Sequence, residues 1–254
     1  MSLLFEDAAV QLSGRALAIV NAASYTGGVA APDSIATIFG EALANFTDNA
    51  VSLPLPTALA NASIKITDSQ GRIEAAPLFF VSPTQINFLV PANLADGTAS
   101  VSLAGANGVE AKGLLKITRT SPSLFSADAS GAGVAAANVV RVDAAGKQSW
   151  EPVAYFDAPS GKLLASPINL GPATERVYLI LYGTGIRHNA SPNQVKAFLG
   201  TTEIPVEYVG AQGTYAGVDQ INLPLPRLLL GKGAVAIKLV VAEQETNTVS
   251  VFIQ

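Results

Sequence analysis

The sequence predicts an all-β fold of two tandem immunoglobulin-like β-sandwich domains that arose by internal duplication. Three observations indicate this fold: apolar and polar residues alternate in many short segments, turn-forming stretches separate those segments, and similar segments recur in the same order in each half. Alternation with a period of two puts apolar side chains on one face of a half-buried strand. Helical periodicity extends over at most a turn or two, at 41–48 and 226–233.

The predicted strands follow one another along the whole chain. In "SIKITD" (63–68) and "ASVSLAG" (99–105), isoleucine, valine or leucine takes every second position, and the residues between them are polar or small. The last segment, "TVSVFI" (248–253), has the same pattern, so we expect it to tie the C-terminus into a sheet. Turn sequences such as "DAAG" (143–146) and "GKG" (231–233) lie between strands, as in sandwiches of antiparallel sheets.

Several segments of the first half have counterparts in the second half. The matched pairs are "IATIFG" (35–40) with "YLILYG" (178–183), "APLFFV" (76–81) with "IPVEYV" (204–209), "QINFLVP" (85–91) with "QINLPLP" (220–226), and "ASVSL" (99–103) with "VAIKL" (235–239). Strand order is kept and loop lengths differ, because loops tolerate insertions at low cost. We therefore predict a first sandwich over 1–120 and a second over 121–254, the second with extra N-terminal strands.

The repeated motif carries amide side chains on the face opposite its apolar residues. These amides are Gln85 and Asn87 in the first copy and Gln220 and Asn222 in the second. Amides donate and accept hydrogen bonds, so they can hold the backbone of a neighbouring loop. A ligand site is the functional interpretation. We favour the structural one, in which the amides pin a loop to a sheet edge, because both copies have them.

Composition excludes several classes of protein. Apolar residues make up 49% of the 254 residues and charged residues 13%, which excludes a disordered chain. The net charge of −4 argues against nucleic acid as a partner. With no cysteine, disulfides and thiolate chemistry are excluded. No apolar stretch is long enough to span a membrane, and the first residues do not resemble a signal peptide.

Residues for catalysis or metal binding are scarce, so we predict no enzyme, cofactor or metal. The single histidine, His188, is the one candidate base, and it lies in a predicted loop without a nucleophile elbow. Glu203 and Glu207 fall on one predicted strand face, about 13 Å apart, which is too far for paired catalytic carboxylates. For calcium, the nearest approach to a binding loop is Asp128, Asp143 and Asp157, but they lack its spacing, so we expect them to stabilise turns.

The most suggestive surface candidate is "SWEPVAYF" (149–156), which contains the single tryptophan. Trp150, with Tyr155 or Phe156, could form an aromatic platform for sugar rings or for a partner protein. We favour the alternative that these aromatic side chains pack in the second core or between the domains, since sandwiches commonly bury a tryptophan.

Six longer stretches of the chain form a recognisable combination: "VNAASYTGGVAAPDSIATIFGEAL" (20–43), "APLFFVSPTQINFLVP" (76–91), "SPSLF" (121–125), "GVAAANVVRVDAAG" (133–146), "LILYGTGIR" (179–187) and "ETNTVSVFI" (245–253). Taken together, they resemble the Solibacter-type C-terminal domain of acidobacterial proteins, and each half is more distantly similar to immunoglobulin-like IPT/TIG domains. One departure is "APDS" (31–34), where that family has Pro-Gly-Ser. The resemblance implies an extracellular or cell-envelope setting, upstream domains of a longer parent chain, and no catalytic residues.

These observations lead to two functional hypotheses from different classes. The first is a non-enzymatic extracellular structural or interaction module that acts as a spacer, terminal cap or adhesion unit. The second is a carbohydrate-binding accessory module that uses Trp150 and its neighbours; an exposed indole would favour it and a buried one would exclude it. The low proportion of charged residues also predicts exposed apolar surface, and hence a protein or glycan partner, a dimer or an adjoining domain.

Overall fold

The chain is an all-β protein of two tandem β-sandwiches, as the sequence predicts. The structure is a computed structural model that describes residues 15–108, 110–189 and 191–254. Within these residues the helical elements are single 3₁₀ turns at Ala106–Gly108, Arg187–Asn189, Pro192–Gln194 and Arg227–Leu229. The helical turn expected at 41–48 is wrong, because residues 41–46 form successive bends there. No helix of the described residues is long and apolar enough to cross a membrane.

The first half pairs its strands into two facing sheets. The strands are β1 Arg15–Ala16, β2 Ala18–Asn21, β3 Val29–Ala30, β4 Ile35–Phe39, β5 Asp48–Asn49, β6 Ala58–Leu59, β7 Ala62–Thr67, β8 Ile73–Ala76, β9 Leu78–Val81, β10 Gln85–Leu89, β11 Gly97–Ala104 and β12 Glu110–Ile117. One sheet has the order β1-β12-β11-β7-β6, with β3 beside β12 and β8 beside β7, and the other has the order β2-β4-β10-β9-β5.

The second half repeats this arrangement. Its strands are β13 Ser123–Leu124, β14 Ala137–Val142, β15 Gln148–Pro152, β16 Ala154–Asp157, β17 Lys162–Ala165, β18 Pro167–Ile168, β19 Arg176–Thr184, β20 Val195–Leu199, β21 Thr202–Ile204, β22 Tyr208–Ala211, β23 Asp219–Pro224, β24 Gly233–Val241, β25 Gln244–Glu245 and β26 Val249–Ile253. The sheets have the orders β15-β14-β19-β23-β22, with β13 beside β19, and β18-β26-β24-β20-β21, with β25 beside β24. Among the described strands, β16 and β17 pair only with each other.

The pairing of the central strands matches between the halves. The series β2-β4-β10-β9 corresponds to β14-β19-β23-β22, and β3, which runs parallel to β12, corresponds to β18, which runs parallel to β26. The main difference is an insertion. Residues 22–28 join β2 to β3, whereas residues 143–166 join β14 to β18 and form β15, β16 and β17. The insertion carries Trp150, Tyr155 and Phe156.

Each sandwich encloses its own apolar core. The first core contains Phe88, Ile38 and Ile64, which are completely buried between the two sheets of residues 15–117. The second core contains Leu179 and Ile237, which are completely buried and lie on its two different sheets. Burying such a side chain stabilises the fold by about 1.5–3 kcal/mol, so the two cores supply the main driving force for folding. The boundaries at 120 and 121 remain a prediction.

Part-buried hydrogen bonds join the two halves, and the buried Thr184 takes part in one of them. Thr184 Oγ1 accepts a hydrogen bond from the Ile35 amide (2.9 Å) and donates one to the Gly217 carbonyl (2.7 Å). Asn21 Nδ2 donates to the Ser121 carbonyl (3.2 Å) in the connection between the domains. A buried polar group is costly unless it is paired, so these bonds favour one arrangement of the halves.

The loop-pinning role predicted for the repeated amides is wrong. Their strands, β10 and β23, lie inside their sheets and not at an edge. In both copies the glutamine Nε2 donates to the asparagine Oδ1 two residues later, at 2.9 Å from Gln85 to Asn87 and 2.8 Å from Gln220 to Asn222. Successive same-face residues of a strand are close enough to bond each other, so in each copy the glutamine and the asparagine share one hydrogen bond on the strand itself.

Candidate functional site

Trp150 is exposed on the outer face of the second sandwich. Its side chain is 58% accessible, which overturns the expectation that it packs in the second core or between the domains. The reason is the inserted strand β15, which extends the sheet beyond β14 and so places its outward side chains in solvent. The main core beneath this sheet is filled by Val139, Val177 and Leu179 instead.

The register of four strands lines up the residues around Trp150. Trp150 lies opposite Val140, which lies opposite Tyr178. The next outward row runs from Asn138 through Ile180 to Asn222. Neighbouring strands are about 4.8 Å apart, so each row is a continuous strip of side chains across the sheet. We call this surface the Trp150 face, defined by Val140, Trp150, Tyr178, Ile180, Gln220 and Asn222.

The floor of the Trp150 face is apolar. Val140, Val142 and Ile180 are nearly buried there, although they point away from the main core, and Tyr178 and Tyr182 pack against them. Burial also raises the pKa of the Tyr182 hydroxyl, which donates a hydrogen bond to Asn138 Oδ1. This small outer cluster lies on the side of the sheet away from the main core. It explains how an outward sheet face can be apolar without exposing all of its aliphatic side chains.

A shallow cleft of about 440 Å³ runs across this face. Gln220 and Asn222 form part of its wall, and Arg176 and Glu207 are the charged residues at its rim. Gln220 Nε2 donates to Asn222 Oδ1, and within the described part of the chain Gln220 Oε1 and Asn222 Nδ2 have no hydrogen-bond partner, so both can bond a ligand. The lining residues are Val140, Val142, Gly146, Gln148, Trp150, Arg176, Tyr178, Ile180, Glu207, Gln220 and Asn222.

An ion-pair cluster on the inner side of the sheet holds β15 in place. Arg141 on β14 contacts Glu151 on β15 (Nε–Oε1, 2.9 Å) and also Glu175 (Nη1–Oε2, 2.9 Å). The hydrogen bond that Arg141 donates to Glu151 raises the pKa of Arg141, since it favours the charged guanidinium. Charge-assisted hydrogen bonds are the strong ones, so β15 is fixed both by its backbone ladder and by Arg141.

The structure brings together only some of the predicted site residues. Trp150 shares a cleft with Gln220 and Asn222, a grouping that the sequence did not indicate. Tyr155 and Phe156 are exposed on the separate β16–β17 hairpin and do not line that cleft. Gln85 and Asn87 lie in the first half, where Thr37 Oγ1 donates a further hydrogen bond to Asn87 Oδ1 (3.0 Å).

Tyr178 and Ile180 were missed, although a signal was present. In "RVYLILYGT" (176–184) both alternate sets are apolar: Val177, Leu179 and Leu181 on one side, and Tyr178, Ile180 and Tyr182 on the other. A strand that is apolar on both faces either lies between two layers or carries a binding surface. That pattern could have identified the Trp150 face.

The single histidine lies at the junction of the two halves. His188 Nε2 is 2.8 Å from Asp33 Oδ2, and its backbone carbonyl accepts a hydrogen bond from Arg119 Nε (2.9 Å). Among the hydrogen bonds of residues 15–108, 110–189 and 191–254, the imidazole has no serine or threonine partner. This geometry ties the halves together and does not assemble a Ser-His-Asp triad.

The other carboxylates considered have structural positions. Asp128, Asp143 and Asp157 each accept backbone N–H groups within a turn, as expected. Glu203 and Glu207 do not share a strand: Glu203 lies on β21, and Glu207 precedes β22 in the other sheet, because the chain leaves β21 at Ile204. The described part of the chain contains no group of three or more histidine or acidic residues that could hold a metal ion.

A second concavity lies between the halves. It measures about 660 Å³ and is lined mainly by apolar side chains, with Val51, Leu53 and Tyr215 strongly exposed at its rim. Val51 and Leu53 belong to the loop before β6, and Tyr215 belongs to the loop before β23. Such exposed apolar surface is what the low proportion of charged residues predicts.

Comparisons with known proteins identify no family. No family model matches the chain, and no curated protein does. Among solved structures it is similar to the Bacteroides ovatus mixed-linkage glucan utilization locus protein SGBP-B in complex with a mixed-linkage heptasaccharide, at 11% identity and a TM-score of 0.32. That match covers 89% of this chain but 43% of the other, so the chain spans less than half the length of SGBP-B.

A second similar structure is a tetra-tandem repeat in the extending region of a large adhesion protein. The identity is 13% and the TM-score 0.24, over 94% of this chain and 74% of the other. Neither similarity is high enough to assign a ligand or a role.

Proposed function

We propose that this protein is a non-enzymatic binding module whose Trp150 face binds a polysaccharide. The observation that carries the proposal is the exposed indole of Trp150, held at the border of a cleft with an apolar floor and free amide groups. Pyranose rings present C–H faces that pack on an indole and hydroxyls that hydrogen-bond to amides. The Trp150 face offers both kinds of contact.

Two further features support a binding role. The face depends on the insertion at 143–166, which the first copy lacks, so the sandwich fold itself does not require it. Its aromatic strand is also held rigidly by Arg141, and a preorganised site loses less entropy when a ligand binds. The proposal includes the extracellular or cell-envelope setting that the resemblance to Solibacter-type C-terminal domains implies.

A titration of Trp150 fluorescence with soluble neutral polysaccharides tests this proposal. We expect a red, iodide-quenchable emission in the free protein and a blue shift when one of the glycans binds. Trp150→Ala should weaken binding at least tenfold, which corresponds to about 1.4 kcal/mol, and Asn222→Ala should weaken it severalfold. Both variants can be assayed by isothermal titration calorimetry.

Phe156→Ala is the matched control, because Phe156 is 65% exposed in the same insertion but lies outside the cleft. It should bind as tightly as the wild type. Equal losses in the Trp150 and Phe156 variants, or no binding to any neutral glycan, would contradict the proposal.

The second candidate function is a spacer, terminal cap or adhesion unit. The hydrogen bond from the Ile35 amide to the buried Thr184 hydroxyl joins the halves and favours it, since a spacer requires a fixed angle between its domains. Small-angle scattering distinguishes a spacer from a flexible pair of domains: a spacer gives one narrow distribution of radius of gyration, and a broad distribution contradicts it.

A further inference from the structure

The outer face of the first sandwich carries a group of lysines. Lys65 on β7, Ser102 on β11 and Lys112 on β12 lie directly opposite one another in register. Three neighbouring strands span about 10 Å from Lys65 to Lys112, and Lys116 lies about 13 Å further along β12. We call Lys65, Ser102, Lys112 and Lys116 the lysine face.

The positive charges of this face are unpaired. In residues 15–108, 110–189 and 191–254, none of the three lysines forms an ion pair. Glu110, at one end of β12, is the acidic residue among the outward positions of the three strands. The face is therefore positive on a chain whose net charge is −4. These outward positions are Ser63, Lys65, Thr67, Thr98, Ser100, Ser102, Ala104, Glu110, Lys112, Leu114 and Lys116.

The fold does not require these lysines, as the second copy shows. The alignment of 99–103 with 235–239 makes Phe198 the register equivalent of Lys65, and Phe252 the equivalent of Lys116. The equivalent of Ser102 is Lys238, whose charge is paired with Glu245 (2.7 Å). The same sheet is thus stable with phenylalanines at two of these positions, so a structural role does not explain the lysines.

A shallow cleft of about 340 Å³ lies between Lys65 and Lys112. Ser63 and Ser102 line it together with the two lysines, and Glu110 closes one end. Ammonium groups at the sides and hydroxyls along the floor match a ligand that carries both carboxylates and hydroxyls. These ammonium and hydroxyl groups could contact a flat, chain-like anion that lies across the strands.

We propose that the lysine face binds an acidic polysaccharide, with its uronate carboxylates on Lys65, Lys112 and Lys116 and its hydroxyls on the serines and threonines. No aromatic residue lies among the outward positions of β7, β11 and β12, so the face has no platform on which bases could stack. The negative charge of the whole chain likewise disfavours nucleic acid. This site is in a different half from the Trp150 face and does not depend on it.

Calorimetric titration of the full chain with polygalacturonate, at 20 mM and 500 mM NaCl, tests this inference. We expect binding at low salt that weakens at least tenfold at high salt, because exposed charges are screened, and no binding of neutral pullulan to this face. Lys65→Glu/Lys112→Glu should weaken binding at least tenfold. All the substituted side chains are exposed, so circular dichroism should show an unchanged fold.

Lys162→Glu/Lys232→Glu is the matched control, since it makes the same change in net charge with two exposed lysines of the second half. It should change affinity by less than twofold, and Trp150→Ala should leave polygalacturonate binding intact even if neutral glycans fail to bind. Equal losses in both charge-reversal variants would overturn the inference. So would absence of binding, or equally tight binding of a single-stranded oligonucleotide.

Discussion

At the scale of single residues, Asp219 is the buried carboxylate of the second half. Its side chain is completely inaccessible, accepts a hydrogen bond from the Ile186 amide (2.7 Å) and pairs with Arg187. Burial raises the pKa of Asp219 above its ordinary value of 3.8, and the nearby Arg187 charge opposes that shift. Asp219 therefore depends on Arg187 to remain ionised inside the protein.

We predict that Arg187→Met destabilises the protein by about 3 kcal/mol at pH 7, because it leaves a buried charge without its partner. Between 3.8 and the raised folded-state pKa, the folded chain holds more protons than the unfolded chain, so acidification favours folding. Removing Arg187 raises this pKa further, so the variant's loss of stability relative to the wild type should be smaller at pH 5 than at pH 7. Urea denaturation of both proteins at both pH values measures this loss.

Lys196→Met is the control for this prediction. Lys196 is exposed on β20, and its loss should change the free energy of unfolding by less than about 0.5 kcal/mol. If the loss of stability in Arg187→Met stays constant or grows on acidification, the role assigned to Asp219 is contradicted.

At the scale of elements, one asparagine holds β13 against the last part of the chain. Asn247 Oδ1 accepts a hydrogen bond from the Leu124 amide (2.8 Å), and its Nδ2 donates to the carbonyls of Leu124 (2.8 Å) and Gly131 (2.8 Å). This is the loop-pinning role that the sequence assigned to the repeated amides. The error arose because amide type and strand position do not reveal which backbone lies within reach.

We predict that Asn247→Ala costs about 2–3 kcal/mol of stability, since it leaves the backbone groups of the buried Leu124 without partners. Thermal and urea unfolding would measure the loss. Asn169→Ala removes one exposed bond to the Gly171 amide and should cost less than about 1 kcal/mol. Similar losses in both variants would argue against a pinning role for Asn247.

At the scale of the whole molecule, the outer face of the first half's smaller sheet contacts the second half. Gly217 packs against Ile35 and Leu89, whose register equivalents in the second copy are Tyr178 and Pro224. The same sheet surface is therefore covered in the first copy and open in the second, where it forms part of the Trp150 face. Duplication supplied two such surfaces, and the arrangement of the halves left one available.

We predict that Gly217→Ala loosens the contact between the halves, because the added Cβ would overlap the Ile35 side chain and approach Leu89 to 3.0 Å. The variant should lose about 2 kcal/mol more than Gly213→Ala and show a broader distribution of radius of gyration by small-angle scattering. Gly213 is the matched control, since it also has a positive φ (93°, against 74° at Gly217) but meets no atom within 4 Å. Identical behaviour of the two variants would refute a close contact at Gly217.

The sequence by itself determined the fold class and the duplicated strand order. Period-two alternation and the recurrence of "QINFLVP" as "QINLPLP" are local properties of the chain, and each strand reports which of its faces is buried. The turn roles of Asp128, Asp143 and Asp157 were predictable for the same reason, because an aspartate in a turn bonds backbone only a few residues away.

Only the tertiary structure decided where the candidate site lies. Local periodicity does not specify which strands become neighbours, and Trp150 shares a cleft with Gln220 and Asn222 because β15, β14, β19 and β23 lie side by side. The exposure of Trp150 likewise depends on β15, which extends the sheet beyond β14. The sheet face of the first half is covered because Gly217 of the second half packs against it. Contacts between residues distant in sequence are set by packing of the whole chain, so no single segment carries them.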